Sequence, residues 1–128
     1  MNEQLRAISN LDRVIHEPGR LMIFALLGAV KECDFLHLLH ETEMNKGNLS
    51  SHLARLEEAG YVEIEKTYRG KVPRTLLRLT RAGRAAFDQY LKGLKAAIKP
   101  AGRRAEVSDN AMTDWPRLRI PRLSGHAG

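Results

Sequence analysis

Apolar positions recur at helical spacing along the first half of the chain and later switch to strict alternation. Leu5, Ile8, Leu11, Val14 and Ile15 keep the helical period, with Glu3, Arg6, Asp12 and Arg13 between them, which predicts a first helix over residues 1–16. Pro18 suits the first turn of a second helix, where its missing N–H costs nothing. The dense set Met22, Ile23, Leu26, Leu27 and Val30 carries that helix to about Val30 with a broad buried face. Asp34 can cap a third helix, in which Phe35, Leu36, Leu38 and Leu39 are apolar and which ends near Glu41.

A polar turn, Thr42 to Asn45, leads into a fourth helix. Asn45 can cap its start and Gly60 can end it in the left-handed conformation. Leu49, Leu53 and Leu56 form one apolar stripe, which Phe35, Leu38 and Leu39 of the third helix would support from behind. The opposite face carries Asn48, Ser51 and Arg55, with His52 at its border and Ser50 to one side. The one full charge among these is positive, and the acids Glu57 and Glu58 lie at the far end. Small polar groups and one arginine suit a helix that enters a DNA major groove. An ordinary surface helix fits the same segment. Two short helices joined by a turn of about four residues are a helix-turn-helix, although a generic helical hairpin fits as well.

After Gly60 the period becomes two. Val62 and Ile64 alternate with Glu63 and Glu65, predicting a half-buried strand over Tyr61 to Thr67, and Leu77 and Leu79 mark a second strand from about Arg74. Gly70 and Pro73 make the segment between them a turn. Arg69, Lys71 and Arg74 give that turn three positive charges and no negative one. Such a hairpin suits phosphate or minor-groove contact; a solvated basic loop is the plainer alternative, and Arg74 fits equally an inward structural role at the strand base. Thr80 caps a last helix lined by Ala82, Ala85, Ala86, Phe87, Leu91, Leu94 and Ile98, which ends before Pro100. The expected fold is therefore mainly α with a small antiparallel β-hairpin, over residues 1–99. Residues 100–128 hold five arginines (Arg103, Arg104, Arg117, Arg119, Arg122) without a lasting period, and read as a flexible or loosely docked tail.

Composition narrows the partners. A chain of 128 residues is one domain's worth, and 43% apolar with 5% aromatic residues means a small, leucine-rich core. A partner subunit would help cover so small a domain. Leu5, Ile8 and Leu11 at one end, with Phe87, Leu91, Leu94 and Ile98 at the other, are the candidate dimer interface. The net charge of +6 and pI of about 9.8 favour an anionic partner. One cysteine, Cys33, excludes an intramolecular disulfide and fits the cytoplasm. The N-terminus has no apolar signal region, and the longest apolar run, Leu21 to Val30, is too short to span a membrane. Cys33, His37, His40 and Glu41 are suitable ligand types for a zinc-like ion, but the pattern is not His-Glu-x-x-His. The reading assigns no metal and no cofactor. Without a phosphate loop or nucleophile elbow, it assigns no enzymatic activity either.

Two separated motifs carry a family resemblance over roughly residues 8–98. Gly47-Asn48-Leu49-Ser50-Ser51-His52-Leu53, followed by Leu56-Glu57-Glu58-Ala59-Gly60-Tyr61-Val62, resembles the recognition helix and first wing strand of winged helix-turn-helix transcription regulators akin to the MarR and ArsR groups. Pro73-Arg74-Thr75 and Leu79-Thr80-Arg81-Ala82-Gly83-Arg84 resemble the second wing strand and the start of the closing helix. The resemblance implies a homodimer that binds a roughly palindromic double-stranded DNA operator, with the terminal helices as the interface. Asn48, Ser51, His52 and Arg55 would then reach base edges or nearby phosphates, Ser50 a phosphate, and Arg69, Lys71 and Arg74 would form the wing contact. ArsR-like metal sensors usually hold their ion with at least two cysteines, and this chain has one. A winged helix that binds protein instead of DNA is the alternative. It gains if Arg55, Arg69, Lys71 and Arg74 do not converge on one face. The sequence specifies neither operator nor effector.

Overall fold

Asn2 accepts the Leu5 N–H at 2.8 Å and so opens the first helix, α1, Glu3–Ser9. The structure is a computed structural model that describes residues 2–98. It continues with α2 (Pro18–Gly28), β1 (Cys33–Asp34), α3 (Phe35–Thr42), α4 (Lys46–Glu58), β2 (Val62–Arg69), β3 (Val72–Leu79) and α5 (Arg81–Ile98). The three strands form one antiparallel sheet in the order β1-β3-β2. The expected tail, 100–128, and the domain boundary at 99 lie outside the described residues.

The first helix is shorter than the period predicts. The Asp12 carboxylate accepts the Val14 N–H at 2.8 Å and the Ile15 N–H at 3.3 Å, offering the backbone a local alternative to a continuous helix. The chain bends there, which turns Leu11 and Ile15 into the core. α2 stops at Gly28, two residues short of Val30, and Arg84 of α5 donates to the exposed carbonyls of Gly28 at 3.3 Å and Val30 at 3.0 Å. β1, two residues paired with Leu76 and Leu77, was not expected; a strand this short carries no period.

The helix-turn-helix forms as its pattern predicts. The Asp34 side chain caps α3 at the Leu36 N–H, and Glu43 ends the helix with φ +58. Leu38, Leu49, Leu53 and Leu56 are buried against Ile23 and Leu27 of α2 and Leu77 of β3. Each such side chain contributes about 1.5–3 kcal/mol. Phe24 sits at the centre, stacked on Phe87 at 5.2 Å and edge-on to Tyr61 at 6.1 Å.

A tight joint fixes α5 to the end of α4. The Thr80 N–H donates to the Tyr61 carbonyl at 3.0 Å, and the Thr80 hydroxyl donates to the Gly60 carbonyl at 2.6 Å and accepts from the Gly83 N–H at 2.9 Å. Gly60 itself has φ +83, a conformation that favours glycine. The Tyr61 hydroxyl donates to Asp12 at 2.6 Å, and that carboxylate, together with partial burial, pushes the phenol up to about 12.

The proposed interface residues divide. Leu5, Ile8, Leu91 and Ile98 are exposed. Leu11 is not available: it is 8% exposed and packs in the chain's own core, its side chain next to Gly93 of α5. Phe87 and Leu94 are half-buried against that same core. Gln4 donates to the Ala97 carbonyl at 2.7 Å and ties α1 to the end of α5.

Candidate nucleic-acid interface

α4 owes its orientation to one stripe and one cap. Leu49, Leu53 and Leu56 hold it to the core, and the Asn45 side chain accepts the Asn48 N–H at 2.8 Å. This leaves Lys46, Gly47, Asn48, Ser50, Ser51, Ala54 and Arg55 exposed. By helical spacing Ser51 stands near the centre of the exposed face, and Asn48 and Arg55 share its flank toward α2. Lys46, Ser50 and Ala54 stand on the other flank and line a cleft against the sheet.

His52 departs from the expected role. It is half-buried against the start of α2, with Nδ1 at 3.3 Å from the Arg20 guanidinium and Nε2 at 3.9 Å from the Glu17 carboxylate. The reason is its place beside the apolar stripe, together with Gly19, which leaves room for the ring: a Cβ there would stand 2.6 Å from Nε2. Arg20 also donates to the Val14 carbonyl, and Glu17 caps α2 at the Arg20 N–H. His52 therefore fastens α4 to α2.

The hairpin turns through Gly70 and Lys71, and Gly70 takes φ +66, as a two-residue hairpin loop requires. Strand register sorts its side chains. Val62, Ile64, Lys66 and Tyr68 share the face of β2 whose cross-strand partners are Leu79, Leu77, Thr75 and Pro73. On the other face Arg78 is held by Glu63 at 3.7 Å, Glu32 at 3.9 Å and Glu65. Arg74 also lies on that face, and its Nε donates to Asp34 at 3.1 Å. Burial alone raises the Asp34 carboxyl, but the Leu36 N–H and the Arg74 guanidinium outweigh it and leave the carboxyl below its ordinary value. Arg74 thus takes the structural alternative at the strand base, while Arg69 and Lys71 stand exposed at the tip.

The family of winged helix DNA-binding domains matches residues 20–98 of this chain. The chain belongs to that family. A transcriptional regulator homologue from Pyrococcus horikoshii OT3 is 30% identical, with a TM-score of 0.69 over 76% of this chain and 95% of that one. Uncharacterized protein MJ0432 of Methanocaldococcus jannaschii is 36% identical over 80 residues, which are 62% of this chain and 86% of that protein. A MarR-family transcriptional regulator from Silicibacter pomeroyi, 20% identical, shares the fold with a TM-score of 0.54 over 91% of this chain and 82% of that one.

In this winged-helix protein some basic side chains are engaged within the fold and others are not. Arg20, Arg74, Arg78 and Arg84 are engaged by carboxylates, carbonyls or the His52 ring. Among the described residues, Lys46, Arg55, Lys66, Arg69 and Lys71 on α4 and the hairpin form no ion pair, and neither do Arg13, Lys31, Arg81, Lys92 and Lys95 elsewhere. Lys46 and Lys66 were missed as site residues. A signal for Lys66 was available: it occupies a position in line with Val62 and Ile64, where the alternation predicts an apolar side chain. The Cys33 thiol is buried and donates to the Asp34 carbonyl at 3.4 Å, and burial pushes it up from its ordinary value. His37 and His40 are exposed, and among the described residues no group of three potential ligands could hold a metal ion. No described helix is long and apolar enough to cross a membrane.

Proposed function

We propose that this winged-helix chain is a sequence-specific DNA-binding transcription regulator that binds a roughly two-fold symmetric operator as a homodimer. The observation that supports the reading is that Lys46, Arg55, Lys66, Arg69 and Lys71, all exposed and in no ion pair among the described residues, gather on α4 and the hairpin of a winged-helix domain. α4 enters the major groove with Asn48, Ser51 and Arg55 toward base edges. The tip residues Arg69 and Lys71 follow the phosphate backbone or the adjacent minor groove. The exposed residues Leu5, Ile8, Leu91 and Ile98 support a dimer built from α1 and α5, and a two-fold dimer pairs with two related half-sites.

The test separates positioning from reading. Lys71→Ala weakens binding to every duplex and flattens the salt dependence by about one unit of slope per subunit. Arg55→Ala costs about 1–3 kcal/mol on the preferred site and relaxes preference at one position per half-site. Each variant is titrated on preferred and scrambled duplexes across a salt series. If neither substitution affects any duplex while the fold stays intact, α4 and the hairpin are not a DNA-binding surface.

A further inference from the structure

α5 is 18 residues long, yet only its Gly83, Tyr90 and Ala97 are buried, so the chain's own core covers one narrow stripe of it. Beside that stripe runs a second apolar one. Phe87 and Leu94 are half-buried at its inner edge, and Leu91 and Ile98 stand exposed beyond them. The apolar surface continues onto α2, where Met22, Ala25 and Ala29 are exposed at helical spacing. Between the two helices lies a cleft of about 340 Å3, lined among others by Ala25, Gly28, Phe87 and Leu91.

Two opposite charges border this flank. Asp88 stands three residues before Leu91 and Lys95 four after it, the spacings at which helix side chains are neighbours. Both are exposed, and neither forms an ion pair among the described residues. They are too far apart to satisfy each other, since seven residues separate them by about 10 Å along the helix. A second α5 laid antiparallel on this flank sets its Lys95 opposite Asp88 and its Asp88 opposite Lys95. A parallel one sets like charge on like. Charges that flank an apolar seam choose orientation in this way. We infer that the second copy docks with its α5 antiparallel to this one, crossing near Leu91, and that two reciprocal Asp88–Lys95 pairs fix direction and register. The inference rests on the homodimer reading above. The contact is self-complementary, as a two-fold dimer requires: Ile98 of each copy comes level with the α2–α5 cleft of the other.

The experiment measures dissociation of the full-chain dimer by sedimentation equilibrium at low salt, where surface charges are least screened. Asp88→Lys and Lys95→Asp are made singly and together, each checked for unchanged far-ultraviolet circular dichroism. By symmetry each single variant turns two opposite-charge pairs into two like-charge pairs, and it is expected to weaken the dimer about tenfold. The double variant should regain the wild-type dissociation constant. An equimolar mixture of the two single variants should regain it too, each preferring the other to itself. A parallel pairing predicts no rescue by the double variant. Single variants as tight as wild type, or a double variant no tighter than the singles, overturn the antiparallel register. If wild type is nevertheless a dimer on a two-fold operator, the homodimer reading stands without it. A wild type that stays monomeric through the micromolar range overturns both.

Discussion

Replacing Gly83 by alanine should unfasten the closing helix. A Cβ built on Gly83 stands 2.1 Å from the Tyr61 carbonyl oxygen and 2.9 Å from its carbon, so the obstacle is backbone that no rotamer change can move. α5 must retreat, and three hydrogen bonds depend on its position: Thr80 N–H to Tyr61 at 3.0 Å, Thr80 hydroxyl to Gly60 at 2.6 Å, and Gly83 N–H to Thr80 at 2.9 Å. Overpacking of this kind costs about 1–3 kcal/mol, and each weakened hydrogen bond about 0.5–1.5 kcal/mol. Against this, alanine gains at most about 1 kcal/mol of helix propensity over glycine. The net expectation is a loss of about 2–4 kcal/mol, which lowers the melting temperature by at least about 8 °C in a domain of this size. Gly93→Ala in the same helix is the control. Its Cβ would meet only the tip of the Leu11 side chain, at 3.2 Å, which can adjust. Urea and thermal unfolding of both variants measure the difference. A Gly83→Ala protein as stable as wild type, or more stable, would refute the joint described here.

Three other perturbations follow from the same contacts. Tyr61→Phe removes a hydrogen bond to a carboxylate and should cost about 1.5–3 kcal/mol by urea unfolding at neutral pH. Because the folded phenol titrates near 12, above its ordinary 10.0, this contribution is complete below pH 10 and fades between pH 10 and 12. A constant difference across that range would contradict the assignment. Arg74→Ala should cost less than about 1 kcal/mol, as expected of a partly exposed pair. With the Asp34 carboxyl held below its ordinary 3.8, the difference persists above that value and vanishes as pH falls through the folded one. Because Arg74 is tethered, its removal should weaken DNA binding less than Lys71→Ala; equal losses would show that it leaves Asp34 on binding. Sedimentation at micromolar concentration should find a dimer that Leu91→Glu converts to monomer, and a monomeric wild type would reject the α1 and α5 interface.

The helix-turn-helix was legible because each of its devices is local. Asn45, the leucine stripe of α4 and Gly60 are all read within one segment, and the change of period after Gly60 marks the hairpin. What the sequence concealed depends on residues distant along the chain. Leu11 fits the helical period, but Asp12 bends the chain and sends Leu11 inward. His52 borders the polar face by spacing alone, and only Gly19, Glu17 and Arg20, brought up by α2, decide which way it turns. Arg74 counts toward a basic loop until strand pairing sets it beside Asp34. β1 is too short for periodicity, and it exists only because β3 offers it an edge.

The most direct test of the central claim is selection of fragments bound by the full chain from genomic DNA, followed by titration of the enriched and a scrambled duplex across a salt series. The account predicts an enriched sequence with two related half-sites spaced by about 10–10.5 base pairs or a multiple. It predicts an affinity at least about 1,000-fold above that for the scrambled duplex, with log affinity falling linearly in log salt. Absence of enrichment, or equal affinity for both duplexes at every salt concentration, would contradict it.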